Sequence, residues 1–217
     1  MPHLILKHTV KIWLPVLLAI WASCLTGQAL RIEYFTVTDG LSTRDINELH
    51  VGEDGYLWVA TADGLNRFDG HSFVNFGPTT REKPGLSYAA VSAVHAANDG
   101  NLILTYDKSF AVFDRFDPRD FSIEQVRLLP STGVIGYPRA IKTDQLGRTF
   151  AVTIGDAGTL LYEYTATGFQ VIFQDSTDVW DNVTPTVNLL PLSNGQFLLY
   201  DEDHGFRHIS AHGKLLN

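Results

Sequence analysis

Four glycines at Gly55, Gly100, Gly147 and Gly195 mark this chain at intervals of 45, 47 and 48 residues. An apolar run follows each one: Tyr56 to Ala60, Asn101 to Thr105, Arg148 to Thr153 and Gln196 to Tyr200. Another precedes each: Ile46 to Val51, Ala90 to Ala96, Ala140 to Lys142 and Val187 to Leu192. A period of this length with strand-sized runs is the signature of β-propeller blades. One four-stranded meander cannot bury both faces alone, and stacking on the next blade supplies the missing core. The glycine count and the lack of a sustained 3.6-residue spacing exclude helical solenoids.

The first unit reads completely. Ile46, Leu49 and Val51 give one strand and Tyr56 to Ala60 a second; Leu65 to Phe68 is a third and Ser72 to Phe76 a fourth. Glu53-Asp54-Gly55, Ala62-Asp63-Gly64 and Asp69-Gly70 punctuate them. Asp-Gly between short apolar runs signals a hairpin, here expected as type I′ with positive φ at both central residues. The expected fold is all-β, a β-propeller segment of about four four-stranded antiparallel blades, part of a larger propeller. The units fall at about 30–80, 81–130, 131–178 and 179–217, the last one short. Arg31 to Val37 reads as a lone strand of the kind that closes a propeller ring. A longer protein, a shortened reading frame and a compact four-bladed ring all remain compatible with this count.

Residues 1–29 read as a secretory signal peptide rather than as part of the fold. Lys7 and Lys11 form the charged region, Ile12 to Leu25 the apolar region, and Gly27-Gln28-Ala29 a small-x-small cleavage site. The apolar region is short for a span of about 20 residues. An uncleaved anchor and a lipoprotein acylated at Cys24 are the alternatives. Cys24 is the only cysteine, so the mature chain has neither disulfides nor thiolate sites, which fits a bacterial periplasm. Asn182-Val183-Thr184 is a formal sequon followed by Pro185, without meaning in that compartment.

The formal net charge is −8. Cleavage after Ala29 removes two lysines and no acids, leaving 14 basic against 24 acidic residues, or −10. Such a surface argues against nucleic acid, whose binding rests on Lys and Arg neutralising phosphates. It argues equally against anionic lipid. No membrane span is expected in the mature chain, and no cofactor.

The first unit resembles the two-component regulator propeller repeat. The matching residues are Asp39-Gly40-Leu41-Ser42, then Gly55, Leu57, Trp58 and Thr61, then Gly64, Leu65, Arg67, Asp69 and Gly70. Ala60 stands where that family usually has Gly, and Phe68 where Tyr is common. The later units keep Asp99-Gly100, Leu102 and Phe113-Asp114, and then little beyond the turn glycine. The resemblance implies the periplasmic sensor portion of a hybrid two-component regulator, often tuned to oligosaccharides. Its partners would be a small carbohydrate ligand and downstream signalling domains of the same longer chain, or another copy through self-association.

Candidate chemistry is sparse. Trp58 could stack on a sugar, but the apolar residues at its position elsewhere (Ile103, Phe150, Leu198) point to a blade core. Asp39, Asp54, Asp63 and Asp69 invite comparison with paired glycosidase carboxylates, yet each adjoins a glycine and suits a turn. His204, His208 and His212 would share a helix face and could hold zinc. Gly205 and Gly213 break that helix, and on a strand the outer two stand roughly 27 Å apart. Asp201-Glu202-Asp203 and Asp175 to Asp181 lack a calcium-loop pattern and read as solvated loops. Asp114 to Asp120 alternates in sign and reads as a hydrated hairpin. No nucleophile elbow or phosphate loop occurs. No catalytic, metal or cofactor residue is assigned, and the enzyme alternative is a polysaccharide lyase or hydrolase. A ligand at the ring mouth would meet Tyr34, Tyr88, Tyr137 or Trp180.

Overall fold

In the computed structural model, residues 32–81, 84–106, 112–126, 128–129, 136–155, 158–176, 187–202 and 204–216 are described. The chain divides into two units, Met1–Tyr34 and Phe35–Asn217. The expected signal peptide, Cys24, Asn182 and Trp180 lie outside the described residues, and the account below concerns the second unit.

Its strands are β1 (Ile46–Val51), β2 (Leu57–Thr61), β3 (Gly64–Phe68), β4 (Phe73–Phe76), β5 (Val91–Ala96), β6 (Leu102–Tyr106), β7 (Phe113–Phe116), β8 (Ile123–Val126), β9 (Leu128–Leu129), β10 (Gly136–Thr143), β11 (Thr149–Gly155), β12 (Gly158–Thr165), β13 (Gly168–Asp175), β14 (Val187–Pro191), β15 (Phe197–Asp201) and β16 (Gly205–Ile209). They form sheets β1-β2-β3-β4, β5-β6-β7-β8, β10-β11-β12-β13-β9 and β14-β15-β16. Each is built on an antiparallel meander of consecutive strands, and the whole is an all-β propeller segment. Two sheets have the expected four strands. The third gains β9 in parallel to β13, which moves Leu128 and Leu129 out of the second repeat. The fourth has three strands, with an Ile209–Leu215 bridge where a fourth would run.

The turns repeat one geometry. Gly55, Gly100, Gly147 and Gly195 donate their N–H to the carbonyl three residues back, at 3.0–3.1 Å. Their φ values are +82°, +79°, +81° and +78°. The expected type I′ turn is not formed: Phe121 is the one non-glycine at positive φ among the described residues. Glu53 and Asp54 therefore keep negative φ, and glycine alone takes the left-handed place, as in a type I turn closed by a glycine bulge. Asp54 and Asp99 accept from the N–H two residues on, and Asp69 accepts from His71 and Ser72. These aspartates do serve their turns. Asp39 caps a short 3₁₀ turn instead, accepting from Thr36 N at 2.7 Å. Of the strand expected over Arg31 to Val37, Arg31 lies outside the described residues, residues 32–36 form no strand, and Val37 opens the 3₁₀ turn capped by Thr36. For Asp63 the backbone N–H donates to Thr61.

Burial alternates as stacked sheets require. Trp58 and Ala60 face the second sheet and pack with Leu102, Leu104 and Phe116. Ile103 and Phe113 face the third and pack with Ala151 and Tyr162. Phe150, Val152 and Ile154 face the fourth and pack with Phe197 and Leu199. Thus the residue three after each turn glycine points to the next sheet, and those two and four after point to the previous one. Trp58 is fully buried, its ring 5.3 Å from Phe116 and 6.0 Å from Phe76, so it is core and not a sugar platform. Leu198 occupies the same position but is only half-buried, since its sheet lacks a following neighbour among the described residues.

Two acidic segments depart from expectation. Asp114 is buried on β7, not hydrated, and accepts from Ser87 N and Ser87 Oγ at 2.7 Å and from the Tyr106 hydroxyl. Asp201 is buried at the end of β15 and accepts from Arg207, which also reaches Asp175 at 3.2 Å. A carboxylate is buried only where charged or multiple donors meet it: Ser87 reaches Asp114 from 27 residues away, whereas Arg207 reaches Asp201 from the adjoining strand β16. The Asp117–Asp120 part does form the exposed hairpin tip.

Candidate functional site

Neighbouring sheets meet along their first strands, β1 beside β5, β5 beside β10 and β10 beside β14. These strands carry a repeated irregularity. The register of β1, β5 and β10 against its partner slips between Ile46 and Glu48, Val91 and Ala93, and Pro138 and Ala140. The extra residues are Asn47, Ser92 and Arg139, at equivalent places. A bulge kinks a strand and re-aims its side chains, which is why bulges gather beside binding sites.

A cleft of about 420 Å³ opens along this wall. Glu48 of β1, Ser92 and His95 of β5, Thr105 and Tyr106 of β6, Tyr137, Arg139 and Lys142 of β10, and Asn188 of β14 line it. Glu48 Oε2 accepts from Val94 N at 2.8 Å. Ser92 Oγ lies 2.9 Å from Thr105 Oγ1, and the Arg139 guanidinium sits over the Tyr137 ring at 5.4 Å. His95 Nε2 is 2.6 Å from Thr143 Oγ1. Burial first, then the neighbouring His50 and Lys142, push His95 down to about 4, so its imidazole is neutral at pH 7 and acts as a hydrogen-bonding group. Burial, followed by the Asp114 carboxylate, pushes the Tyr106 phenol up and keeps it protonated.

The wall thus offers hydroxyls, an amide, a neutral imidazole, two cationic groups and an aromatic ring within one cavity. That set suits a polar ligand rich in hydroxyl groups, held by hydrogen bonds with a ring against its body. Of the tyrosines expected at a ring mouth, Tyr137 lines the cleft, and Tyr88 packs on the lining Tyr106 at 5.5 Å. Tyr34 is 83% exposed and belongs to the other unit.

The histidines do not assemble. His204 lies at a turn with Nδ1 3.0 Å from Asp201, and His208 on β16 reaches Gln196 at 2.8 Å. Among the described residues no group of three metal-binding side chains occurs. Sequence reasoning missed the lining residues other than Tyr137 and a second copy of the lead-in. Gly40-Leu41-Ser42 recurs as Gly85-Leu86-Ser87, 45 residues on, the same interval as between Gly55 and Gly100. Both leucines are buried. Ser42 N donates to Asn66 at 2.9 Å, as Ser87 N does to Asp114.

A second cleft of about 290 Å³ lies between the first two sheets, lined by Gly52, Asp54, Trp58, Gly100 and Arg119. The Trp58 indole N–H has no hydrogen-bond partner among the described residues.

No family model matches the chain. Over 53 residues, 24% of this chain and 4% of the relative, it is 40% identical to Histidine kinase P4 of Formosa agariphila. Among solved structures it is similar to the extracellular domain of a hybrid two-component system protein from B. thetaiotaomicron, with TM-score 0.61 and 15% identity over 83% of this chain and 26% of that one. A structure described as the extracellular domain of a one-component system protein from the same organism gives 0.55, with 19% identity over 82% and 23% of the two chains. A gluconolactonase-family structure gives 0.51, with 17% identity over 79% and 62%. The chain therefore spans about a quarter of the two sensor-system domains and a small fraction of the kinase. No helix among the described residues is long and apolar enough to cross a membrane. At these identities the likeness is one of fold: the chain has the propeller architecture found in extracellular domains of bacterial signalling systems.

Proposed function

We propose that this chain is the ligand-sensing part of an exported, periplasmic signalling protein, binding a carbohydrate-derived ligand without turnover. The observation that carries the reading is the cleft along β1, β5, β10 and β14, where Glu48 beside the first bulge, the bulge residues Ser92 and Arg139, and Tyr137 line a cavity of about 420 Å³. Its volume falls in the range of small-molecule sites. The resemblance of the first unit to two-component regulator propellers supports the same direction, as do the solved sensor-system domains of like fold. Downstream signalling domains in a longer protein would read the bound state. A saccharide panel tested by thermal shift checks this: a raised melting temperature with unchanged saccharide supports it, and released product supports the enzyme alternative.

A second reading rests on the end sheets. Leu190 and Phe206 of the fourth sheet are 56% and 73% exposed, and Leu49 and Val51 of the first are also exposed. These are the halves of an inter-sheet core, and they suit association with another repeat unit, including that of a second copy.

A further inference from the structure

The saccharide reading can be sharpened to a ligand class, and the inference below rests on that reading. Five residues before the first three turn glycines stand His50, His95 and Lys142. Each lies opposite the residue that points to the next sheet: His50 opposite Trp58, His95 opposite Ile103, Lys142 opposite Phe150. Three basic side chains therefore occupy equivalent faces of three adjacent first strands. Their closeness is felt electrostatically, since His50 and Lys142 both disfavour a charge on His95. The bulge residue Arg139 adds a guanidinium on the same wall. Glu48 is the one carboxylate among the described lining residues, and its Oε2 is engaged by Val94 N at 2.8 Å.

This basic wall belongs to a chain of net charge −8. With His95 neutral, Lys142 and Arg139 outnumber the Glu48 carboxylate at the cleft, and an excess of one sign in a cleft focuses its field on a ligand of the other. Lys142 is exposed at the cleft, where its ammonium can meet an anion without a burial cost of its own. We propose that the cleft takes an acidic saccharide, its carboxylate or sulfate ester seated at Lys142 and its ring beside Tyr137.

Isothermal titration of the full chain with digalacturonate, neutral digalactose and a sulfated digalactose tests this. At least one acidic sugar is expected to bind about tenfold more tightly than the neutral one at low salt, roughly the strength of one ion pair in a partly screened site. Preference for digalacturonate identifies a carboxylate ligand, and preference for the sulfated sugar a sulfate ester. Lys142→Gln should abolish the preference and Lys142→Arg should keep it. Equal binding of neutral and acidic sugars, or a preference that survives Lys142→Gln, overturns the inference and leaves saccharide sensing intact. Binding of none of the three overturns both.

Discussion

Asp114 accepts two hydrogen bonds from Ser87, one from its backbone N–H and one from its hydroxyl, each 2.7 Å long. The pair ties the lead-in of the second repeat to its third strand, across 27 residues of sequence. The first repeat does the same with a neutral group: Ser42 N donates to Asn66 Oδ1, and Asn66 Nδ2 to Ser42 Oγ at 2.9 Å. In the third and fourth repeats Tyr162 and Arg207 hold the equivalent place, opposite Ala151 and Leu199. In the first two repeats this buried polar position anchors the lead-in, and in the fourth it reaches Asp175 of the preceding sheet.

Asp114→Ala should cost about 2–4 kcal/mol of stability, because Ser87 and Tyr106 lose a charged, buried acceptor together. Asp114→Asn should cost less, since Asn66 shows that an amide can take the lead-in. Denaturant titration of both variants measures the difference. Equal losses would mean that the charge, not the lead-in contact, is what matters.

Trp58→Ala should lower stability by about 3–5 kcal/mol, the usual cost of emptying a large core site. Its ring packs on Phe76 and Phe116, which also meet each other at 4.9 Å. Thermal unfolding of the variant should shift in the same direction with or without saccharide, because the ring does not reach the cleft along the first strands.

Stability should fall on acidification. His95 has its folded value depressed from 6.5 to about 4. The unfolded chain therefore binds the extra proton first, between those two values. His95 contributes its full stabilisation above pH 6.5, and the contribution is lost as pH falls toward 4. The groups that face it are His50 and Glu48 from β1 and Lys142 from β10. A loss on the order of 1–3 kcal/mol is expected across this window, and it should vanish in His95→Gln. Urea titrations at pH 7.5 and pH 4.5 measure it.

The exposed face of the fourth sheet should make the chain associate at high concentration. Tyr200 and Phe206 pack ring to ring at 4.9 Å, beside exposed Leu190. Phe206→Glu should shift sedimentation toward the monomer without altering the melting temperature, because the ring is mostly in solvent. Unchanged sedimentation would count against the end sheets as docking surfaces.

What could be read from the chain, and what could not, follows from the range of the interactions. Gly55, Gly100, Gly147 and Gly195 announced the sheets because a positive φ is a local demand that glycine meets most cheaply. Trp58 was legible as core because its position recurs as Ile103 and Phe150. Asp114 reads as solvated because alternating charge looks the same on a surface and beside a distant donor, and Asp201 because a run of acids without a calcium-loop pattern looks the same in solvent and beside an arginine on the next strand. Ser87 and Tyr106 settle the first, and Arg207 and the His204 N–H the second. The cleft was hidden for a related reason: its residues come from four segments, each separated by one repeat. Stacking the repeats five places before the turn glycine would have set His50, His95 and Lys142 side by side.

The central claim is that a saccharide binds on the wall formed by β5 and β10. Hydrogen exchange of the chain, with and without the saccharide that gives the largest thermal shift, tests it most directly. Slower exchange within Val91–Ala96 and Gly136–Thr143, with the outer strands β4 and β8 unchanged, is the expected result. Protection confined to β4, β8 or the face bearing Phe206, or no protection at all, would contradict it.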